Sequence, residues 1–372
     1  MTAHVIVGLS GGVDSAVSAL LLREQGLRVS GLFMVNWTED EAGYCSAADD
    51  YAAARAVAEE LDIPLHRVDF SAEYRERVFA QFLAEYRAGR TPNPDLLCNR
   101  EIKFAPFVEH ARRLGADLVA TGHYARIDPA ADGPRLLRAA DEAKDQTYFL
   151  ALVHRAQLRD VRFPLGELHK REVREIARRA GLPNHQRRDS TGICFIGERP
   201  FADFLGRYLD QQPGPIEDEH GRRLGTHRGL PFYTLGQRRG LALGGVSGAA
   251  EAPWYVIAKD SERNALLVAQ DSQHPRLMSR RLQTAPFHWI RRPDTLDARF
   301  LARLRHRQPL AACRVEELAD GSLQFTFEQA QRAATPGQFA ALYADEECLG
   351  AAPIQKIVSD TIFWMGAASS TL

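Results

Sequence analysis

Hydrophobic residues follow two rhythms along this chain, and the change from one to the other marks its organisation. In the first half, short β-branched runs alternate with stretches whose apolar residues recur every three or four positions, as expected of buried parallel strands separated by amphipathic helices. His4 to Val7 is the first such run. Val13, Val17, Leu20 and Leu21 then keep helical spacing as far as Gly26, where a helix would stop. Val29 to Val35 predicts a second strand, a helix entered through Ser46 runs over Ala52, Ala56 and Leu61, and Leu65 to Phe70 predicts a third strand. Ser71 is placed to cap a helix containing Val78, Phe82 and Leu83 that ends near Gly89. A further helix over about Arg100 to Leu114 precedes a strand from Asp117 to Thr121. The predicted fold is α/β, with a doubly wound parallel sheet. Ligands in such sheets sit beyond the carboxyl ends of the strands, where the loop after the first strand, Met34 and Gly122-His123 project.

After a helix from Lys170 to Ala180 the rhythm changes. From Pro213 glycine and turn residues crowd the segments 221–229 and 236–240, with no long helical period, which suggests a small linking domain. From about Arg281 short apolar runs, Phe300 to Arg305, Ala312 to Glu317, Leu323 to Phe327 and Phe339 to Tyr343, read as strands of a terminal β-barrel. The expected domains are 1–206, 207–279 and 280–372. A chain of 372 residues is long enough for three cores, and its formal net charge of −1 excludes no class of partner. Five cysteines without paired spacing give no disulfide framework, and no charged start followed by an apolar run marks a signal peptide, so a reducing cytoplasm and no membrane association are expected.

The most specific chemistry lies at Gly8, Leu9, Ser10, Gly11, Gly12, Val13, Asp14 and Ser15, small residues between the first strand and first helix. Glycines let backbone pass close to a phosphate, the helix start offers free N–H groups, and two serines add hydroxyl donors. A Walker loop would need a lysine here, and a dinucleotide fingerprint a different glycine spacing; neither is present. The loop resembles that of the N-type ATP pyrophosphatases, which implies that the β and γ phosphates are held while the α phosphate is attacked.

Two cysteines narrow the class. Cys98 follows Asn93, Pro94 and Asp95 in a proline-held loop where Asn99 could cap the next helix, and a thiol beside a helix N-terminus has a stabilised thiolate. Cys194 lies in a second polar loop, 188–199. Together with Thr121 to Ala125, Lys144 to Leu150, Tyr233 to Leu241, Trp254 to Val256, Lys259-Asp260 and Thr335 to Gln338, these segments make nearly the whole chain resemble the tRNA-specific 2-thiouridylase family. Thr147 stands where that family commonly has serine, and Ala351-Ala352 where it commonly has glycines, which puts a barrel turn in question.

The resemblance implies an adenine nucleotide α-hydrolase-like fold and ATP-dependent 2-thiolation of the wobble uridine of tRNA, with Mg²⁺ carried by ATP and no protein metal site. It implies that Met34 and Gly122 contact the nucleotide with the loop, and that Asp14 orients Mg²⁺ or takes part in catalysis. Cys194 would carry a persulfide, and Cys98 would release or resolve it through a transient disulfide. Asn93, Pro94 and Asp95 would read a flipped base. His123, Lys144, Asp145, Gln146, His306, Arg307 and Gln338 would contact tRNA, the substrates being the lysine, glutamate and glutamine tRNAs. The sulfur donor would be a cysteine desulfurase or a relay protein. Cys45, Cys313 and Cys348 are left with structural roles.

Residues 280 to 310 contain eight arginines against two aspartates, with Phe287, Trp289 and Phe300 among them, which favours a phosphate-binding face. Two rival classes remain. Another pyrophosphatase-loop ligase would not need the two cysteines, and a non-catalytic RNA binder or sulfur carrier would not need the loop.

Overall fold

The computed structural model describes residues 2–37, 46–189, 201–209, 211–244 and 248–358. Strands β1 (His4–Gly8), β2 (Arg28–Val35), β3 (Leu65–Asp69) and β4 (Leu118–Ala120) belong to the first half, followed by a hairpin, β5 (Ala125–Ala130) and β6 (Gly133–Arg138), and by β7 (Val161–Arg162). Five of them form a parallel sheet in the order β3-β2-β1-β4-β7. Val5, Ile6 and Val7 of the central strand are wholly buried, as a strand covered by helices on both faces must be. The order runs outward in both directions from β1 and β4, so the loops leaving these two strands diverge and open a crevice at their carboxyl ends.

The helices depart from expectation where proline and capping override periodicity. The single helix predicted over 100–114 is two: Pro94–Cys98 continues through a π turn, Asn99–Lys103, and a separate helix, Pro106–Arg113, follows. Pro106 bars its predecessor from helical geometry, and Ala105 lies at φ −123°, ψ −101°. Ser71 is the first helical residue, not the cap; its N–H donates to Asp69 Oδ1 at 2.9 Å. Asn99 likewise sits inside a helix, and Asn93 caps it by accepting from Asp95 N–H at 3.2 Å.

The glycine-rich middle forms strands β8 (Gly214–Asp218), β9 (Arg223–His227), β10 (Tyr255–Asp260) and β11 (Ala265–Ala269), paired β10-β11-β8-β9 around buried Ile216, Val256, Leu266 and Val268. Strands β12 (Met278–Pro286), β13 (His288–Trp289), β14 (Phe300–Arg303), β15 (Ala311–Glu317), β16 (Ser322–Arg332), β17 (Phe339–Ala344) and β18 (Glu347–Val358) follow. The order β12-β16-β15-β14-β17-β18 closes on itself through β12 and β18, which removes the free sheet edges. Its core holds Leu282, Phe300, Phe325 and Leu342. Ala351 and Ala352 are not in a turn. They pair within β18 against Ala341 and Ala340.

The β5–β6 hairpin, not anticipated from the sequence, continues the barrel sheet: Leu137 stands opposite Glu347, and Arg138 N–H donates to Glu346 O at 2.9 Å. The barrel and the α/β part thus share backbone hydrogen bonds. Among the described residues, no helix is long and apolar enough to cross a membrane.

Candidate active site at the carboxyl edge of the parallel sheet

The loop after β1 is tied by its serines. Ser15 Oγ accepts from Ser10 N–H at 3.2 Å and donates to Gly12 O at 3.0 Å, while Ser10 Oγ lies 3.2 Å from Ser15 Oγ. Gly11 has φ +79°, and a Cβ there would come within 2.5 Å of Asp50 O. Its carbonyl accepts from Asn184 Nδ2 at 2.9 Å and from Arg187, whose other nitrogen binds Asp50. Gly12 precedes the helix Val13–Glu24 without a side-chain cap, so that helix start keeps N–H groups facing the crevice. From β4, Gly122 packs so closely on the helix start that a Cβ would lie 2.9 Å from Ser15 N. The sheet register sets this approach, since Val7 stands opposite both Gly31 and Ala120. Met34 lies near the end of β2, half-buried against the core.

Asp14 is held by two residues that local pattern did not single out. Lys170 Nζ lies 2.7 and 2.9 Å from its two oxygens, and Tyr124 OH donates to Oδ1 at 2.9 Å. Burial and the Asp14 charge together raise the Tyr124 phenol far above its ordinary value, so it stays a donor. Lys170 also meets Asp189 at 2.7 Å, and Asp189 is further bound by Lys144 at 2.8 Å and Arg174 at 2.7 Å. Partial burial alone would raise the Asp189 carboxyl, but the hydrogen bonds from Lys144 and Lys170 outweigh it and hold it down at about 2.

Cys98 is 1 % exposed and ends the Pro94–Cys98 helix, so the expected position beside a helix N-terminus is not found. Its sulfur accepts from Asn36 Nδ2 at 3.9 Å, one residue past the end of β2. The thiol therefore lies at the same sheet edge as the loop after β1. Asn99 donates to Phe149 O at 2.8 Å, while Asn36 Oδ1 and Asn99 Oδ1 are buried without hydrogen-bond partners. Burial raises the Asp95 carboxyl, with Lys103 partly opposing it, which favours a group that can donate as well as accept. Gln338 of the barrel donates to Thr91 O at 2.8 Å and Pro92 O at 3.3 Å, and Thr91 N–H donates to Pro336 O at 3.0 Å. Cys194 and Cys45 lie outside the described residues. Cys313 and Cys348 are buried, and burial pushes both thiols up to about 12.

The remaining expected RNA contacts divide. Asp145 is 1 % exposed and locked to Arg303 at 2.7 Å and to Thr147 Oγ1, which leaves it no surface to offer an RNA. Gln146 Oε1 accepts from Tyr124 N–H at 2.9 Å. His123 bonds Thr121 Oγ1 at 2.7 Å between the Phe104 and Phe163 rings, and burial, reinforced by Lys103, keeps it neutral. His306 packs against Phe149 with ring centroids 4.4 Å apart and the planes tilted by 35°, and Arg307 beside it is exposed at φ +65°. The arginine count also reads differently in space. Arg291, Arg292, Arg299 and Arg303 pair with Glu347, Glu317, Glu328 and Asp145, all from outside the 280–310 window. Arg305 is half-buried against the Ala333 carbonyl and Thr335 hydroxyl.

A parallel sheet of this order, with a glycine- and serine-built loop opening its first helix, defines a HUP-type nucleotide-binding domain, here joined to a small β domain and a β-barrel. Residues 3–198 match the family described as tRNA methyl transferase HUP domain, residues 202–270 the tRNA methyl transferase PRC-barrel domain and residues 279–354 the aminomethyltransferase beta-barrel domain. The tRNA-specific 2-thiouridylase MnmA of Sodalis glossinidius is 56% identical over 354 residues, covering 94% of this chain and 96% of its own length. Its namesake in Alcanivorax borkumensis is 53% identical over 355 residues, covering 95% and 97%. In Halorhodospira halophila the identity is 56% over 351 residues, covering 93% and 92%. The chain belongs to the tRNA-specific 2-thiouridylase MnmA family.

Proposed function

We propose that this chain uses ATP to replace the C2 oxygen of the tRNA wobble uridine with sulfur, the nucleotide chemistry lying in residues 1–206, with 280–372 as the tRNA-binding barrel. The observation that carries the reading is the placement of Cys98, bonded to Asn36 past the end of β2, at the same edge as the loop after β1. A uracil carbonyl is a poor electrophile with a poor leaving group, and adenylation remedies both. The C2 oxygen attacks the α phosphorus, pyrophosphate departs, and AMP becomes the leaving group. The free N–H groups at the start of Val13–Glu24 and the serine hydroxyls suit the departing phosphates.

The persulfide on Cys194 then supplies sulfur at the oxidation level of elemental sulfur. In one route Cys98 thiolate attacks the Cys194 Sγ, releasing hydrosulfide that displaces AMP. In the other the terminal sulfur displaces AMP first, and Cys98 then cleaves the S–S bond. Both leave a Cys98–Cys194 disulfide, the two electrons having reduced the transferred sulfur, and an external dithiol must reset it. A cysteine desulfurase or relay protein is the donor in this reading, and cytoplasmic tRNAs for lysine, glutamate and glutamine are the substrates.

Asn93, Pro94 and Asp95 are the base-reading segment, with Asp95 able to donate to the uracil edge. Among the described residues no group of three or more carboxylate, histidine or cysteine side chains could hold a metal. Both oxygens of Asp14 are engaged by Lys170. The donor set suits a magnesium ion carried on the phosphates with at most one protein carboxylate.

The test is nucleoside analysis by liquid chromatography and mass detection after incubating unmodified tRNA with the chain, Mg-ATP and a persulfide source. Wild type should give thiouridine with AMP and pyrophosphate, and Cys98→Ser and Cys194→Ser should give none. Thiouridine from both variants, or ATP consumption without tRNA, would overturn the assignment of the thiols.

A further inference from the structure

The phosphate loop contains no lysine or arginine of its own, yet a triphosphate brings charge that backbone N–H groups alone meet only in part. The fold supplies a cation from a neighbouring helix. Lys170, the first residue of the Lys170–Arg179 helix, reaches the opening turn of Val13–Glu24, and its side chain is 12 % exposed. All three of its Nζ donors are spent on carboxylates, two on Asp14 and one on Asp189. Of these partners Asp189 has alternatives, since Lys144 and Arg174 already hold it. Lys170 can therefore leave Asp189 without stranding a carboxylate and keep its hold on Asp14. Arg187, which also touches the loop, has no such freedom, because it binds the Gly11 carbonyl and Asp50 together.

We infer that Lys170 is the phosphate-binding cation of this site, exchanging Asp189 for the β and γ phosphates of ATP. This rests on the ATP reading above and adds a residue to it. A lysine acting as a point charge from a neighbouring helix performs the task that a Walker loop gives to its own lysine. The exchange also shifts a charge at Asp189, five residues before Cys194 in sequence, so nucleotide binding has a direct electrostatic link to the start of that segment.

The test is equilibrium binding of α,β-methylene-ATP, pyrophosphate and AMP to the full chain and to Lys170→Met and Lys170→Arg. Lys170→Met should weaken the triphosphate and pyrophosphate roughly tenfold or more, leave AMP within about twofold, and Lys170→Arg should recover most of the loss. Equal weakening of all three ligands, or unchanged triphosphate binding in Lys170→Met, overturns the assignment. A wild type that binds no triphosphate overturns the ATP reading with it. Absent thiolation with the selective loss intact counts against the thiolation chemistry alone.

Discussion

Arg303 on a barrel strand and Asp145 beside the nucleotide-binding sheet form an ion pair of 2.7 Å with almost no solvent contact on either side chain. Asp145 also accepts from Ala139 N–H and Thr147 Oγ1. Such a pair costs desolvation on both sides, and removing one partner leaves the other charge stranded. Arg303→Met should therefore lower stability by about 3 kcal/mol or more. Adding Asp145→Asn to it should cost less than the sum of the two single changes. Urea unfolding of the four chains measures this, and an Arg303→Met chain with an unchanged midpoint would show that the pair contributes nothing.

Gly122 offers a finer probe of the proposed nucleotide site. A Cβ there would meet the backbone of Asp14 and Ser15 at 2.9 Å, and backbone cannot swing aside as a side-chain end can. Gly122→Ala should push the loop from its place and raise the KM for ATP about tenfold, with a stability loss of about 1–3 kcal/mol. Pyrophosphate release in the presence of tRNA reads the effect, and an unchanged KM would mean that the loop tolerates the shift.

What could be read ahead of the structure was local. The runs Val29 to Val35 and Leu65 to Phe70 became β2 and β3 within a residue at each end, because a buried parallel strand writes its burial into consecutive positions. Boundaries failed where one residue overrode a period, as Pro106 did inside the predicted helix. The β5–β6 hairpin was hidden because Pro129 and Pro134 argue against strands; they pair with each other beside its turn. Lys170 had no local signal at all. It meets Asp14 only because two helices pack side by side, a relation between positions 156 residues apart. The pairing of the arginine-rich window was hidden for the same reason, its counter-charges arriving from strands β15, β16 and β18 and from Asp145 before the Thr147–Leu150 helix.

Gln338 links the barrel to the segment that precedes Asn93. Its amide donates to two successive carbonyls, Thr91 O and Pro92 O, so the loop is held from outside its own domain. Gln338→Leu keeps the volume and removes both donors, leaving two buried acceptors unmet at about 1–3 kcal/mol each. The expected outcome is a fall in tRNA-dependent turnover of about tenfold with the KM for ATP unchanged. Equal changes in both would place Gln338 in general stability and not in positioning the loop.

His306 should make the fold acid-sensitive. Burial, with Arg307 and Arg303 adding repulsion, lowers its imidazole from the usual 6.5 to about 4, and its Nδ1 is buried without a hydrogen-bond partner. Between those values the unfolded chain takes up a proton that the native chain refuses. Stability from this residue is therefore intact above about pH 6.5, falls as pH drops toward 4 and levels off below it. The loss at pH 5 is on the order of 2 kcal/mol by linkage. His306→Phe retains a ring to pack against Phe149 and removes the titration, so its urea midpoint should fall less than that of wild type between pH 7 and pH 5. Parallel falls in the two chains would assign the acid sensitivity to other groups.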